Sequence, residues 1–300
     1  MLRVYRALQD TTGRLREVKA NVRRMQEQVR AAKTQLRELR TGVQDTRRLA
    51  TRRERDVELL TGPAVDQERL QAVARKQGRA YRSAQPFPHI VLDDLVDPAL
   101  LDRVLEEFEA MDRGTWHQTD KDRERKWSTE DVRQLGPFTW ALIARLNAGP
   151  FLTCLEELTG IAGLLSDPHL RGGGLHEIRG GLFLGVHADF NVHKRLKVYR
   201  RLNLLIYLNK NWDPAWGGSL ELWDNGGQAC VRQIEPVFNR AVLFDTSNFS
   251  YHGHPDPVMC PPERSRKSLA LYYYSVEYPF EEDRAAHGTV FLDTDAAHKG

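Results

Sequence analysis

The stretch that decides the fold reads LFLGVHAD and covers residues 182–189. Residues 182–187 are almost wholly apolar, and a run of this length is typical of a buried strand. Side chains at positions i and i+2 of a strand point to the same face, so His187 and Asp189 project side by side. With one further His, this pair forms the 2-His-1-carboxylate set that suits non-haem Fe(II) and leaves coordination positions open.

The third ligand is predicted to be His252. Residues 241–244 read as another buried strand, and residues 245–248 as the loop after it. His252 lies just beyond this loop and precedes Gly253, a residue type that permits close backbone approach. His254 is the alternative ligand, because on a strand it shares a face with His252.

The chain contains a second H-x-D sequence, HPD at residues 254–256, so the motif alone is weak evidence. Pro and Asp favour turns, and this copy is predicted to be a turn. The copy at residues 187–189 differs because further strands, a second His and then an Arg that opens a strand come after it in the chain. After Asp256 the sequence offers His287 and His298, with no basic residue leading a strand behind them.

Arg266 opens an alternating run in which Ser268, Ala270 and Tyr272 share its face. A guanidinium group binds a carboxylate through two parallel hydrogen bonds and stays charged when buried. Arg266 is therefore predicted to anchor a dicarboxylate cosubstrate. Its neighbour Arg264 is the alternative anchor, and a surface position within this basic cluster is the alternative role for Arg266.

With these residues in place, the chain resembles the prolyl 4-hydroxylase-like 2-oxoglutarate/Fe(II) dioxygenases over about residues 86–280. The H-x-D pair of that family matches residues 187–189, its distal His matches His252, and its Arg-led strand with an aromatic end matches residues 266–273. The sequence RLNLLIYLN at residues 201–209 is similar to the family's central strand.

The resemblance implies that His187, Asp189 and His252 hold Fe(II), and that Arg266 and Tyr207 bind 2-oxoglutarate. For Tyr207, a core aromatic is the alternative role. The implied reaction consumes O2, hydroxylates a C–H bond and releases succinate and CO2, with ascorbate as a further candidate cofactor. The expected substrate is a prolyl or other peptidyl group, a free amino acid or another small molecule. The alternative function is a non-catalytic jelly-roll binding module on a coiled-coil stem.

The catalytic domain is predicted to be α+β, a double-stranded β-helix (jelly-roll) barrel with flanking helices. Many short strands separated by Gly, Pro and Asn turns favour a barrel. Asp97 and Pro98 begin a predicted helix, and two more are expected over residues 137–158. The polar residues 112–136 are expected to form a surface loop or a lid, and residues 281–300 a polar tail. The predicted strands are 182–188, 201–208, 219–224, 228–234, 240–245 and 268–277.

Residues 1–62 predict a long α-helical coiled coil. Apolar residues recur at 3–4 spacing over about eight heptads, which exceeds the three or four that mark a coiled coil. Position a runs from Leu8 to Val57 and position d from Val4 to Leu60, with Arg53 interrupting. A homo-oligomer is therefore expected; the alternative is a single amphipathic helix folded onto its own barrel. Gly62 and Pro63 end the helix, and residues 63–85 read as a short helix plus linker.

The coiled-coil segment is basic, with 16 Lys and Arg against 8 Asp and Glu in residues 1–62. Acidic residues are interspersed among the basic ones, which favours a solvated coiled-coil face over a nucleic-acid partner. No apolar run approaches the ~20 residues that span a bilayer. The first residues lack the apolar core of a signal peptide, and the three Cys are scattered, so a cytoplasmic protein with reduced thiols is expected.

Overall fold

The computed structural model describes residues 2–121, 123–277 and 285–293, with side chains from residue 11 onward except at 120 and 121. The predicted polar tail therefore lies outside the described residues at 281–284 and 294–300. The side chains of the heptad residues Val4 and Leu8 also lie outside them.

The chain folds as five α-helices and fourteen strands within these residues. The helices are α1 (Leu2–Thr61), α2 (Gln67–Arg82), α3 (Pro98–Ala110), α4 (Pro137–Leu146) and α5 (Gly149–Thr159). The strands are β1 (His89–Asp93), β2 (His117–Lys121), β3 (Glu124–Thr129), β4 (Leu165–Ser166), β5 (Gly174–Arg179), β6 (Leu184–Ala188), β7 (Val192–His193), β8 (Val198–Tyr207), β9 (Leu220–Trp223), β10 (Cys230–Ile234), β11 (Arg240–Asp245), β12 (His252–His254), β13 (Ser265–Ser275) and β14 (Val290–Phe291).

The chain divides into two compact units, residues 1–58 and 59–300. The first unit is formed by all but the last three residues of helix α1, which continues without a break through Gly13 and Gly42 and ends at Thr61, next to the predicted stop. The predicted long helix is thus confirmed. Leu59 and Leu60 at its end are partly buried against the main core. From residue 15 to 57, the large apolar side chains are roughly half exposed or more, and nearly all occupy a or d positions: Leu15, Val18, Val22, Met25, Val29, Leu36, Leu39, Val43, Leu49 and Val57.

In the second unit, an antiparallel sheet curls around a cavity. Its main path runs β1-β11-β8-β13-β5-β3-β6-β12-β9-β10. The sheet has a larger half, β1-β11-β8-β13-β5, and a smaller half, β6-β12-β9-β10. Strand β3 joins them, because its Trp127–Thr129 segment pairs with β5 while Glu124 pairs with Leu184 of β6. The predicted α+β jelly roll with flanking helices is confirmed.

The larger half of the sheet carries the main hydrophobic core on its outer face. Strand β8 alternates, so that Leu202, Leu204 and Ile206 pack with the helices while Asn203 and Leu205 face the cavity. Helix α2 belongs to this core, since one of its faces, which includes Leu70 and Tyr81, is buried. Residues 63–85 therefore include the predicted short helix, which is packed on the domain. The Tyr81 hydroxyl also donates a hydrogen bond to Asp245 of β11.

Residues 112–136 differ from their predicted loop or lid, because they contain the hairpin β2–β3 that joins the sheet. Polar residues on both faces hide this strand pattern. On one face Arg125 is exposed while Trp127 packs against the main core. On the other face Glu124 and Lys126 line the cavity and pair with each other at 2.8 Å. A strand lining a polar cavity does not need the apolar alternation by which strands are recognised.

Candidate metal and cosubstrate site

Two antiparallel strands bring the three predicted ligands together. Strand β12 pairs with β6 so that His252 lies directly opposite His187. Asp189 follows the end of β6 by one residue, on the same side as His187. Cross-strand neighbours have Cβ atoms about 5 Å apart, close enough for both imidazoles to approach one atom.

The ligand atoms of these three residues lie within 4.8 Å of one another. Nε2 of His187 is 3.6 Å from Oδ1 of Asp189, and Nε2 of His252 is 3.5 Å from Oδ2. The two imidazole centroids are 4.5 Å apart. The sequence prediction brought these three residues together as a set, and the fold places them in one cluster.

Hydrogen bonds orient both rings for metal binding. Nδ1 of His187 donates to the carbonyl oxygen of Gly185 at 2.8 Å, and Nδ1 of His252 donates to that of Ser250 at 2.9 Å. A carbonyl oxygen only accepts, so each Nδ1 carries a hydrogen, and Nε2 is the ring nitrogen that faces Asp189 and is placed to bind a metal. Two imidazole nitrogens and one carboxylate form a donor set that fits Fe(II).

Gly253 permits the close approach of the two strands. A Cβ atom at this position would lie 2.8 Å from the carbonyl oxygen of Gly185 and 2.9 Å from that of Leu184. The Gly185 oxygen is the one that accepts from His187, so a larger residue at 253 would displace the group that orients a candidate ligand.

Arg200 and Asn203, to which sequence reasoning gave no role, hold Asp189 in place. The Asn203 amide donates to Oδ2 of Asp189 at 2.7 Å, and the Arg200 guanidinium lies 2.9 Å from the same oxygen. Arg200 is 1% exposed and also donates through Nε to Asn203 at 2.8 Å. Burial opposes ionisation of Asp189, but Arg200 and the two imidazoles together hold its pKa well below the usual value. The carboxylate is therefore ionised and ready to bind a cation.

A β-bulge explains why regular strand spacing does not place Arg200 at the site. Positions three apart point to opposite faces of a regular strand, so spacing places Arg200 and Asn203 apart. In β8 the pairing with β13 slips between Tyr273 and Tyr274, which face Leu202 and Arg200 respectively. The extra residue turns Arg200 onto the face of Asn203. The sequence carries no local signal of this slip.

Burial also keeps His252 neutral. Removal from water, together with the neighbouring His187, lowers the pKa of His252 to about 4. The imidazole is therefore unprotonated at neutral pH, the form that binds a metal.

A cavity of about 230 Å³ adjoins the three residues. Besides them it is lined by polar residues from several strands, notably His176, Asn203, His254, Arg266 and Ser268. Leu184, Leu205 and Leu220 supply apolar walls.

Arg266, the predicted carboxylate anchor, is buried at 5% exposure and lines this cavity. Its Nε donates to the carbonyl oxygen of Gly218 at 2.6 Å, and an Nη donates to the Tyr207 hydroxyl at 3.2 Å. Gly218 has φ +72°, and a Cβ there would come within 3.1 Å of the Arg266 side chain. Gly218 thus makes room for the Arg266 side chain.

Arg264, the alternative anchor, lies elsewhere. Its guanidinium donates to the carbonyl oxygens of Lys210 and Asn211 at 2.7 and 3.2 Å, over the ring of Trp216. It does not line the cavity that adjoins His187. This geometry favours Arg266 over Arg264 as the anchor.

His254, the alternative metal ligand, lines the same cavity but stands outside the cluster of three. A register shift between His252 and His254 separates the two rings along β12. Burial lowers the pKa of His254 well below its usual value, and the Arg266 guanidinium lowers it further.

The chain's last described segment covers one side of the site, a feature absent from the sequence prediction. Strand β14 pairs with β6, and the Phe291 ring lies 5.3 Å from the His187 ring. Phe291 and Thr289 line the cavity, whereas Val290 between them is 47% exposed. Arg123 fastens the segment by donating to the carbonyl oxygen of Leu292 at 2.5 Å.

Comparison with known proteins agrees with this site. Residues 173–274 match the family described as the 2OG-Fe(II) oxygenase superfamily. The matched segment begins just before β5 and ends within β13, so it contains all three candidate metal ligands and Arg266. The resemblance seen in the sequence is confirmed, together with Fe(II) and 2-oxoglutarate as the cofactors of that family.

Two mouse proteins show similarity over short regions. Prolyl 3-hydroxylase OGFOD1 of Mus musculus is 30% identical over 79 residues, which are 25% of this chain and 14% of the relative. Prolyl hydroxylase EGLN3 of Mus musculus is 32% identical over 79 residues, which are 26% of this chain and 30% of the relative. The chain thus spans less than a third of either relative.

Among solved structures, one of the prolyl 4-hydroxylases from Phytophthora capsici is 20% identical, with a TM-score of 0.51. The alignment covers 79% of this chain and 73% of that one. This likeness supports the jelly-roll fold. Among the helices that the structure describes, none has an apolar stretch long enough to cross a membrane.

Proposed function

We propose that this chain, which carries a 2OG-Fe(II) oxygenase segment, is an Fe(II)- and 2-oxoglutarate-dependent dioxygenase that hydroxylates a C–H bond. When bound, Fe(II) supplies the redox chemistry that couples O2 and 2-oxoglutarate to hydroxylation, with release of succinate and CO2. The observation that carries the proposal is the approach of His187, Asp189 and His252 to within 4.8 Å beside a polar cavity.

In this proposal the protein holds iron through Nε2 of His187, Nε2 of His252 and the Asp189 carboxylate. Gly185 and Ser250 fix the ring tautomers through their carbonyl oxygens. Asn203 and Arg200 occupy Oδ2 of Asp189 and so set the direction in which the carboxylate points. Such partners of metal ligands commonly change metal affinity by about 10–100-fold when removed.

Arg266 binds the far carboxylate of 2-oxoglutarate. Its partner Tyr207 accepts a hydrogen bond from the guanidinium, so the hydroxyl hydrogen of Tyr207 stays available to donate to the same carboxylate. Both side chains are buried, and a carboxylate in this position would be held by charge and by two kinds of donor in a site shielded from water.

The substrate that fits best is a peptidyl group, with a prolyl residue as the first candidate. Two similar mouse proteins are named prolyl hydroxylases. A second groove continues outward from the cavity, since the two share Glu124, Lys126 and Gly172. Hydroxyl, amide and acidic side chains line it, among them Thr119, Ser128 and Gln134. A polar groove leading to a buried centre suits an extended polar chain better than a small apolar molecule.

The long helix makes the protein a homo-oligomer in this proposal. Residues 1–62 form the coiled coil, 63–85 connect it, 86–280 form the catalytic domain and 281–300 the tail. Support comes from the apolar a and d side chains of α1, which are exposed in the single chain. Their burial in a partner helix would remove this surface from water. A cytoplasmic location is part of the same proposal and is tested by cell fractionation.

Succinate release tests the enzymatic proposal. Purified full-length protein is supplied with Fe(II), ascorbate, 2-oxoglutarate and O2, with and without a library of proline-containing peptides, and hydroxylated products are sought by mass spectrometry. Wild-type protein should release succinate, and His187→Ala should reduce release to the level without protein. Wild-type protein that neither binds Fe(II) nor forms succinate would contradict the proposal and favour a non-catalytic binding module.

A further inference from the structure

One buried imidazole in the cavity, that of His254, has no hydrogen-bond partner within the part of the chain that the structure describes. His254 is 3% exposed, yet neither of its ring nitrogens has a hydrogen-bond partner among the residues described. A buried polar group left unsatisfied costs about 1–3 kcal/mol, so such groups in folded proteins call for an explanation. Either the imidazole stays unsatisfied at this cost, or a ligand that binds in the cavity supplies its hydrogen-bond partner.

The surroundings of His254 favour a ligand. His254 of β12 lines the same cavity as Arg266 and Ser268 of β13, a strand from the other part of the sheet. His176 of β5 lines this cavity as well, and its Nε2 atom is also buried without a partner in the described part of the chain. In the paired strands, Ser268 lies opposite both His176 and Tyr207. Hydrogen-bond donors from three strands thus surround the candidate anchor Arg266.

Comparison with His89 shows that a lack of hydrogen-bond partners is not general for buried His residues in this chain. His89 is also 3% exposed, but Nδ1 donates to the carbonyl oxygen of Phe87 at 2.8 Å and Nε2 lies 2.8 Å from an Nη atom of Arg232. His89 is satisfied by the protein itself. His254 is buried to the same extent, and its nitrogens need an acceptor or donor that the described residues do not provide.

We propose that His254 is a cosubstrate-binding residue, which donates a hydrogen bond to the carboxylate that Arg266 holds. This inference rests on the proposed function, because it takes the ligand to be a 2-oxo dicarboxylic acid. An imidazole carries at least one N–H donor in either protonation state, and a carboxylate has about four acceptor sites, so Arg266, Tyr207 and His254 can all bind the same group. In this arrangement the ligand satisfies one of the two ring nitrogens of His254 that lack a partner among the described residues.

The inference distinguishes His254 from its neighbour on β12. His252 presents its Nε2 to Asp189 and is a candidate for iron, whereas His254 lies outside that cluster. On this short strand, His252 therefore binds the metal and His254 binds the organic acid in the proposed arrangement. A variant at 254 should consequently alter cosubstrate affinity while leaving metal affinity unchanged.

Calorimetric titration of 2-oxoglutarate into full-length protein loaded with Mn(II), which replaces Fe(II) without turnover, tests this directly. His254→Leu should weaken 2-oxoglutarate binding by about 10–100-fold, the loss expected for one hydrogen bond to a charged group. His254→Gln, which keeps a donor, should recover part of the affinity. Titration of Mn(II) alone should give the same affinity in wild type and both variants.

A second ligand locates the contact. 2-Oxobutyrate has the keto acid group of 2-oxoglutarate but lacks the far carboxylate. If His254 binds that carboxylate, His254→Leu should bind 2-oxobutyrate as wild type does. An equal loss for both ligands would place the contact at the keto acid end and overturn the assignment to the carboxylate held by Arg266.

Thermal unfolding without ligand supplies a measurement that does not depend on activity. Removing an unsatisfied buried imidazole should leave the melting temperature of His254→Leu unchanged or raised, whereas His89→Leu breaks two hydrogen bonds and should lower it. His89→Leu should bind 2-oxoglutarate like wild type. If His254→Leu binds 2-oxoglutarate as tightly as wild type, the inference fails and the proposed function stands. If wild-type protein binds no 2-oxoglutarate, the proposed function fails and takes this inference with it.

Discussion

Helix α1 and the curled sheet organise their apolar residues in opposite ways. In α1 the residues at a and d positions, such as Leu36 and Leu39, are more than half exposed. In the sheet, residues such as Leu204 and Leu243 are at most 1% exposed. The sheet completes its core within one chain, whereas the helix displays an apolar surface with the period of a coiled-coil seam. In the proposed function, the sheet unit therefore carries the chemistry and the helix carries the assembly.

The largest expected effect concerns the chemical unit. Arg266→Leu should weaken 2-oxoglutarate binding by about 100-fold or more, because it removes the buried charge that pairs with the far carboxylate. Arg264→Leu is the matched control, since Arg264 lies in the same basic cluster but contacts the carbonyl oxygens of Lys210 and Asn211. Calorimetry on Mn(II)-loaded protein measures both. Equal losses of 2-oxoglutarate affinity in the two variants would contradict the choice of Arg266 over Arg264 as the carboxylate anchor.

The next effect concerns assembly. Leu36→Lys with Leu39→Lys places two charges at a and d positions and should dissociate the oligomer, because charge in a coiled-coil seam is desolvated at high cost. Thr34→Lys with Thr41→Lys adds the same charge on the face away from the seam and should leave the oligomer intact. Sedimentation equilibrium of the full chain reports the mass. A monomeric wild-type protein at the concentrations tested would contradict the coiled coil.

These helix variants also test the separation of the two units. Both double variants should bind Mn(II) and 2-oxoglutarate with the wild-type affinities, since the candidate ligands all lie beyond residue 180. A loss of cosubstrate binding that accompanies dissociation would show that assembly and chemistry are coupled.

A smaller effect is expected from the partners of Asp189. Asn203→Ala should lower metal affinity by about 10–100-fold, because Oδ2 of Asp189 loses the amide that orients it. Asn209→Ala is the control within the same chain region. Asn209 is buried and bonds the carbonyl oxygens of Pro236 and Lys267, so this variant should lose stability without losing metal affinity. Competition with a coloured chelator measures the metal, and thermal unfolding measures the stability.

A further effect concerns the pH dependence of stability. Burial raises the pKa of Asp245 to about 6. A carboxyl whose pKa is raised on folding stabilises the fold below its unfolded pKa, near 4, and this contribution is lost as pH rises through about 6. Wild-type protein should therefore lose about 2–3 kcal/mol relative to Asp245→Asn between pH 4 and 7. Urea unfolding at several pH values measures the difference, and parallel curves for the two proteins would show that Asp245 does not titrate in this range.

The same contrast explains what the sequence could reveal. The heptads of α1 and the spacing of His187 and Asp189 are local periodic signals, and the structure shows the long helix and the cluster of three that they predicted. Arg200 reaches the site only because a bulge in β8 turns its side chain. Phe291 reaches it only because β14 pairs with β6, about a hundred residues earlier in the chain. The hairpin in residues 112–136 lacked apolar alternation because one face lines a polar cavity. Local periodicity therefore identified the candidate ligands, while long-range pairing supplied the residues that support them.

The most direct test of the iron site is anomalous diffraction at the iron absorption edge, from crystals grown without O2 in the presence of Fe(II) and 2-oxoglutarate. We expect one strong peak about 2.0–2.2 Å from Nε2 of His187, Nε2 of His252 and an oxygen of Asp189. A peak bound by His254 in place of His252, or no peak between these three residues, would contradict the account.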